Sequence, residues 1–168
     1  MRETLNKKSI SKNNYLIFLF SILIIGIFLG ILTMQKLNIK TRIIKGISME
    51  NTLNEGTRNL YISKDFKSIK RQNIVIFKMY YKGEEIEVVK RVIGLPGETI
   101  LIKGDKVYIN GNLLEEPYAL YAHLGDDNIE VQIKENEYFV MGDNRYESGD
   151  SREYGPIPKE NILYILIK

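Results

Sequence analysis

Val88-Val89-Lys90-Arg91-Val92-Ile93-Gly94-Leu95-Pro96-Gly97-Glu98 is a short apolar strand that ends in a turn. Valine and isoleucine favour extended chain, and Gly-Leu-Pro-Gly interrupts it. Side chains alternate along a strand, so Lys90 and Arg91 face opposite sides, and one can point inward and the other outward. The same pattern recurs on both sides of this stretch. Candidate strands lie at 42–47, 59–63, 73–81, 86–93, 99–103, 106–109, 129–133, 137–141 and 162–167, rich in Ile, Val, Tyr and Phe. Asn110-Gly111 is a strong hairpin turn and Gly104-Asp105 a plausible one. Only 58–69 and 158–161 have room for a helical turn. The chain from 42 to 168 therefore reads as one mainly β domain.

Ahead of it lies a different solvent preference. Residues 15–34 carry no charge and are rich in Ile, Leu and Phe. As a helix, such a run spans roughly 30 Å, the thickness of a bilayer's hydrocarbon core. The run is too long for a cleaved leader and ends in Leu32-Thr33-Met34-Gln35-Lys36, without a small-x-small site. It reads as an uncleaved anchor, between a basic tail at 1–14 and a linker at 35–41. Arg2, Lys7, Lys8 and Lys12 on one side nearly balance Lys36, Lys40, Arg42 and Lys45 on the other. The terminal amine tips the count towards an inside N-terminus and an outside domain. Gly26 and Gly30 have the spacing of a helix-packing face.

The net charge of +3 belongs wholly to residues 1–14. A neutral domain makes no electrostatic case for nucleic acid. With no cysteine, disulfides and thiolate metal sites are excluded. His123 is the sole histidine, so neither a metal site nor a histidine base is expected, and no cofactor. Nucleophilic chemistry would then rest on a serine activated by a neutral lysine. An ordinary lysine is neutral only about 4 times in 10,000 at pH 7, so the base must be desolvated. Lys90, in its apolar strand, has that setting. Ser48, in Gly46-Ile47-Ser48-Met49, lies fourteen residues beyond Met34. A linker of that length reaches at most roughly 46 Å. Its backbone N–H is the natural oxyanion donor. The long polar stretch at 142–158 has the composition of a functional loop, with Asp150 able to pair with Arg145 or Arg152. Tyr80-Tyr81 suits either lipid headgroups or packing on the sheet.

Four runs, in this order, give the chain a resemblance to bacterial type I signal peptidases. They are Gly46-Ile47-Ser48-Met49-Glu50-Asn51-Thr52-Leu53, Asn73-Ile74-Val75-Ile76-Phe77, the stretch Val89 to Glu98, and Gly142-Asp143-Asn144-Arg145 continuing to Ser148-Gly149-Asp150-Ser151-Arg152. Val107-Tyr108-Ile109-Asn110-Gly111 and Glu116-Pro117-Tyr118 are also similar to this family. The resemblance implies a compact antiparallel β catalytic domain behind a single membrane anchor. It implies Ser48 as nucleophile, Lys90 as general base and Ser148 as the group that orients the lysine. Asp143, Asn144, Arg145, Asp150 and Arg152 would hold the loop beside the site. The implied partners are membrane lipid and exported preproteins, cut on the outer face after small residues at the first and third positions before the bond. The chain also departs from the family pattern. Asn51 stands where proline is usual, and Gly46 where some members add a serine hydroxyl. Tyr146 and Glu147 replace an Asp and an Asn. The short 114–137 segment leaves no room for a large extra β domain. Two other classes fit part of this pattern: a non-catalytic assembly or chaperone factor for surface proteins, and a self-cleaving repressor, which would need a DNA-binding module where the anchor stands.

Overall fold

The computed structural model describes residues 7–36, 38–120 and 128–167. The chain divides into two units, the second beginning at Ile39. The first holds helix α1 (Lys7–Lys36), longer at both ends than the apolar run. Within it, Asn13–Lys36 forms 24 residues long and apolar enough to cross a membrane. Its large apolar side chains are exposed from Tyr15 to Met34. Two of its hydroxyls are satisfied by the helix itself: Ser21 Oγ donates to the Phe18 carbonyl, and Thr33 Oγ1 to that of Leu29.

The second unit is built from strands β1 (Lys40–Ile43), β2 (Arg58–Ser63), β3 (Ile74–Tyr81), β4 (Glu84–Gly94), β5 (Thr99–Lys103), β6 (Lys106–Ile109), β7 (Asn112–Leu113), β8 (Asn128–Gln132), β9 (Glu137–Met141), β10 (Ile157–Pro158) and β11 (Ile162–Leu166). Every strand pair is antiparallel. The larger sheet runs β1-β2-β11-β3-β4-β9-β10 and the smaller β7-β6-β5-β8. The turns follow from composition. Lys82-Gly83 joins β3 to β4 with φ of +52° and +87°, and Asn110-Gly111 joins β6 to β7 with +49° and +81°. Two left-handed residues in a row are what a two-residue type I′ hairpin loop demands. After β4, Pro96 and Gly97 fill the centre of a turn closed by the Glu98 N–H on the Leu95 carbonyl. The Glu98 side chain then pairs with Arg71.

Three apolar clusters hold these layers together. Val75, Phe77, Val92, Val140, Ile162 and Ile165 form the first, on the larger sheet. Ile93, Phe139 and Met141 of that sheet meet Ile100, Ile102, Val107 and Ile109 of the smaller one in the second. The third is small, comprising Ile44, Met49, Leu53 and Ile74.

Three expectations need correcting. The strand predicted over 42–47 is β1, at Lys40–Ile43. Its ladder cannot continue through Gly46, where φ is +79°. The loop at 142–158 contains a helical turn, α2 (Ser151–Tyr154), which Asp150 caps by accepting from the Arg152 N–H. Arg91 does not face outward: it is as buried as Lys90, because Tyr118 and Asp143 cover it on the second face of β4. The short 3₁₀ turns at Lys64–Phe66 and Lys159–Asn161 lie in the two windows that allowed a helical turn. His123 falls outside the described residues.

Candidate active site

Ser48 owes its place to its neighbours. Ile44 is fixed by backbone bonds to Thr57 and Gly56. Gly46 then turns the chain, with its N–H donated to Glu55 Oε1 over 2.8 Å. Next comes a tight bend in which the Glu50 N–H returns to the Ile47 carbonyl and the Leu53 N–H to that of Met49. Met49 and Leu53 sink into the third cluster. Ser48 sits between exposed Ile47 and buried Met49, itself half-buried. Among the described residues its N–H donates to nothing.

Lys90 approaches from mid-β4, opposite Val75 of β3. Only 4% of it is exposed. Its Nζ donates to Ser48 Oγ over 2.7 Å, across 42 positions of sequence. Burial pushes the Lys90 amine down from 10.5 to about 8; Asp150 and Asp143 oppose that fall and Arg152 adds to it. At pH 7 about one Lys90 in ten is then neutral.

The polar loop packs against this pair through ion pairs. Asp150 accepts from the Gly142 N–H at 2.9 Å and from Ser148 Oγ at 2.8 Å, and Arg152 grips it with two nitrogens, each at 2.8 Å. Burial raises the Asp150 carboxyl, but these donors more than offset it and hold Asp150 below its usual range. Asp143, wholly buried, accepts from Arg91 Nε at 2.8 Å and Nη2 at 2.5 Å, and from Thr52 Oγ1. The Asn144 N–H donates to the Ser48 carbonyl at 3.0 Å, which fixes the Ser48 turn to the loop.

Of the two partners open to Asp150, Arg152 is the one found. Arg145 turns away and forks onto Glu116, with both side chains 1% exposed. Ser148 donates to Asp150 and makes no hydrogen bond to Lys90. Sequence reasoning quoted Thr52 and Glu116 only as motif members and missed their pairing and that of Arg91, since each acts through a partner distant in sequence. Gly142 was likewise quoted without a role. A Cβ there would collide with the Ser148 hydroxyl and the Ser48 carbonyl. Gly142→Ala is expected to cost about 1–3 kcal/mol, read as a drop in thermal midpoint.

A groove of about 420 Å³ leads to Ser48, lined by Arg42, Ile43, Ile44, Ile76, Val88 and Val89 among others. Arg42 bridges it to Glu87 at 3.0 Å. Among the described residues, no three His, Cys, Asp or Glu side chains converge as a metal ion would require.

A serine hydroxyl against a buried amine, at the end of an apolar groove on an antiparallel β scaffold, is the construction of a serine endopeptidase. Comparison with known proteins gives the lineage. The profile of the family described as "Signal peptidase, peptidase S26" matches residues 13–164. Signal peptidase I V of Bacillus subtilis is 40% identical over 139 residues, covering 73% of this chain and 80% of its own. Signal peptidase I of Bacillus licheniformis is 37% identical over 171 residues, covering 93% and 89%. Among solved structures, a signal peptidase I of Enterococcus faecalis superposes with a TM-score of 0.52 at 31% identity, over 60% of this chain and 98% of that one. The chain belongs to the signal peptidase family, peptidase S26.

Proposed function

We propose that this protein removes N-terminal signal peptides from exported preproteins, with Ser48 as nucleophile and Lys90 as general base. The observation that carries the reading is the 2.7 Å contact between Ser48 Oγ and a buried Lys90 amine. As Ser48 Oγ attacks the scissile carbonyl carbon, neutral Lys90 takes its proton. The Ser48 N–H, without an acceptor among the described residues, meets the developing oxyanion. The carbon–nitrogen bond then breaks, and the Lys90 ammonium returns the proton to the departing amine. Water next attacks the Ser48 ester, again giving its proton to Lys90. The acid product leaves and the Ser48 hydroxyl is restored. Gly46 supplies no second hydroxyl, so the oxyanion hole rests on backbone.

Ser148 acts on Lys90 through Asp150, the carboxylate that opposes the fall of the lysine's pKa. Asp143, Asn144, Arg145 and Arg152 hold the loop. The edge strand β1 and the apolar groove suit an extended segment whose side chains are small next to the cut bond. In the same reading residues 15–34 are the anchor, with the tail at 1–14 inside and the domain, 42–168, on the outer face. Membrane lipid is then a partner and nucleic acid is not. Tyr80 and Tyr81, 76% and 55% exposed at the β3–β4 tip, do not pack on the sheet and are available to headgroups.

The test is the pH dependence of preprotein cleavage. kcat/KM is expected to rise with pH, reach half its maximum near 8 and then level off, because only neutral Lys90 is competent. A rise centred on the ordinary lysine value, or a profile flat across that range, would reject the lysine base.

A further inference from the structure

Three residues beyond Ser48, Asn51 has a φ of +82°. Most side chains avoid that left-handed region, and asparagine is among the few that tolerate it. Proline, locked near −65°, cannot enter it. The Asn51 side chain is also engaged: Nδ2 donates to the Tyr118 carbonyl at 3.0 Å, across 67 positions of sequence.

Tyr118 belongs to the far side of the site. Its ring lies over the Arg91 guanidinium, 3.9 Å from Cζ to the ring centre. Its hydroxyl donates to Glu116 Oε1 at 3.1 Å. Glu116 holds Arg145, whose Nε donates to the Gly142 carbonyl at 3.0 Å. The Asn144 N–H in turn holds the Ser48 carbonyl. These contacts close a ring that leaves the nucleophile turn at Asn51 and returns to it at Ser48. Met49 and Leu53 fix the turn from the core side; on its exposed side Thr52 ties it to Asp143 and Asn51 ties it to the Tyr118 segment.

We propose that Asn51 is a positioning residue for Ser48: its left-handed backbone shapes the turn, and its amide ties that turn to the Tyr118 segment, keeping Ser48 Oγ within reach of Lys90. The proposal rests on the reading of Ser48 as the nucleophile.

Four variants of the full chain in detergent test it: Asn51→Gly, Asn51→Ala, Asn51→Pro and Ser48→Ala. Each is assayed for kcat and KM on a preprotein, for the labelling rate of Ser48 by a serine-reactive phosphonate, and for thermal midpoint, with rates normalised to folded enzyme. Asn51→Gly keeps the backbone and loses the amide, so kcat falls about 2–10-fold with KM nearly unchanged. Asn51→Ala loses both, and kcat falls about 10–100-fold. Asn51→Pro falls furthest, and the labelling rate follows the same order. Asn51→Gly stays decisive if the other two fail to fold. Parent kcat and labelling rate in Asn51→Gly and Asn51→Ala, even with a lowered thermal midpoint, overturn the proposal, because a purely structural residue would behave so. Full activity in Asn51→Pro overturns it as well. If Ser48→Ala still cleaves, the nucleophile assignment itself fails; if only Ser48→Ala is dead, the Asn51 proposal alone falls.

Discussion

Lys90→Met is expected to abolish preprotein cleavage and, at neutral pH, to make the protein more stable. In the proposed mechanism Lys90 is the general base that activates Ser48, and its loss should reach about 10⁴-fold or more. The gain in stability follows from the sign of the pKa shift. In the folded protein Lys90 titrates near 8, against 10.5 for an ordinary lysine. Between those values the unfolded chain binds more protons than the folded one, so the lysine's contribution to stability rises with pH. Below about 8 both states are protonated, and the buried ammonium carries its full cost of about 3 kcal/mol. Methionine fills similar space without the charge, so Lys90→Met should recover up to that amount at pH 7 and almost none near pH 10.5. Ser48→Ala should be equally inactive yet keep the parent's rise in stability with pH. Urea unfolding at the two pH values, beside a cleavage assay, separates these outcomes. A Lys90→Met protein less stable than the parent at pH 7 would mean that the amine is not held desolvated.

The second large effect is structural. Arg91→Ala should lower stability by about 3–5 kcal/mol, a fall in thermal midpoint of about 10–20 °C. It leaves the Asp143 carboxylate, wholly buried, with Thr52 as its remaining side-chain partner among the described residues, and uncovers the Tyr118 ring. Asp143→Leu combined with Arg91→Met removes both charges and should recover about half of the loss, since the cost lies in stranding one ion rather than in lacking the pair. A loss below about 1 kcal/mol in Arg91→Ala is the behaviour of a surface pair and would contradict the burial. Thermal unfolding of the two variants and the parent decides it.

Much of the fold could be read locally. β5, β6 and β9 lie where their apolar residues and turns put them, because both ends of each are set by neighbours in sequence. β7 and β10 are two residues long and exist through their partners, so no run of side chains announces them. The site was less legible. Ser48 and Lys90 are common residues, and what paired them was the order of four motifs, not any spacing between the two. Alternation along β4 correctly separated Lys90 from Arg91. It could not say that a loop would cover the second face, because the covering residues, Tyr118 and Asp143, come from elsewhere in the chain. Choosing between Arg145 and Arg152 as the partner of Asp150 likewise required Glu116, which competes for Arg145 from a segment 29 positions away.

The open edge of β1 has a cost beyond chemistry. Among the described residues its one strand partner is β2, and the groove runs along the stretch that continues it. Backbone groups able to take up an extended chain do not distinguish a foreign segment from the same edge on another molecule, and exposed edges are where β proteins aggregate. Lys40 and Lys45 stand exposed along this stretch, while Arg42 is paired with Glu87. An edge-to-edge pair of two copies would bring those lysines together, and like charges on adjacent strands repel. The same strand can therefore stay open to a neutral chain while discouraging self-association. Neutral replacements at Lys40 and Lys45 are the changes most apt to make this edge self-associate.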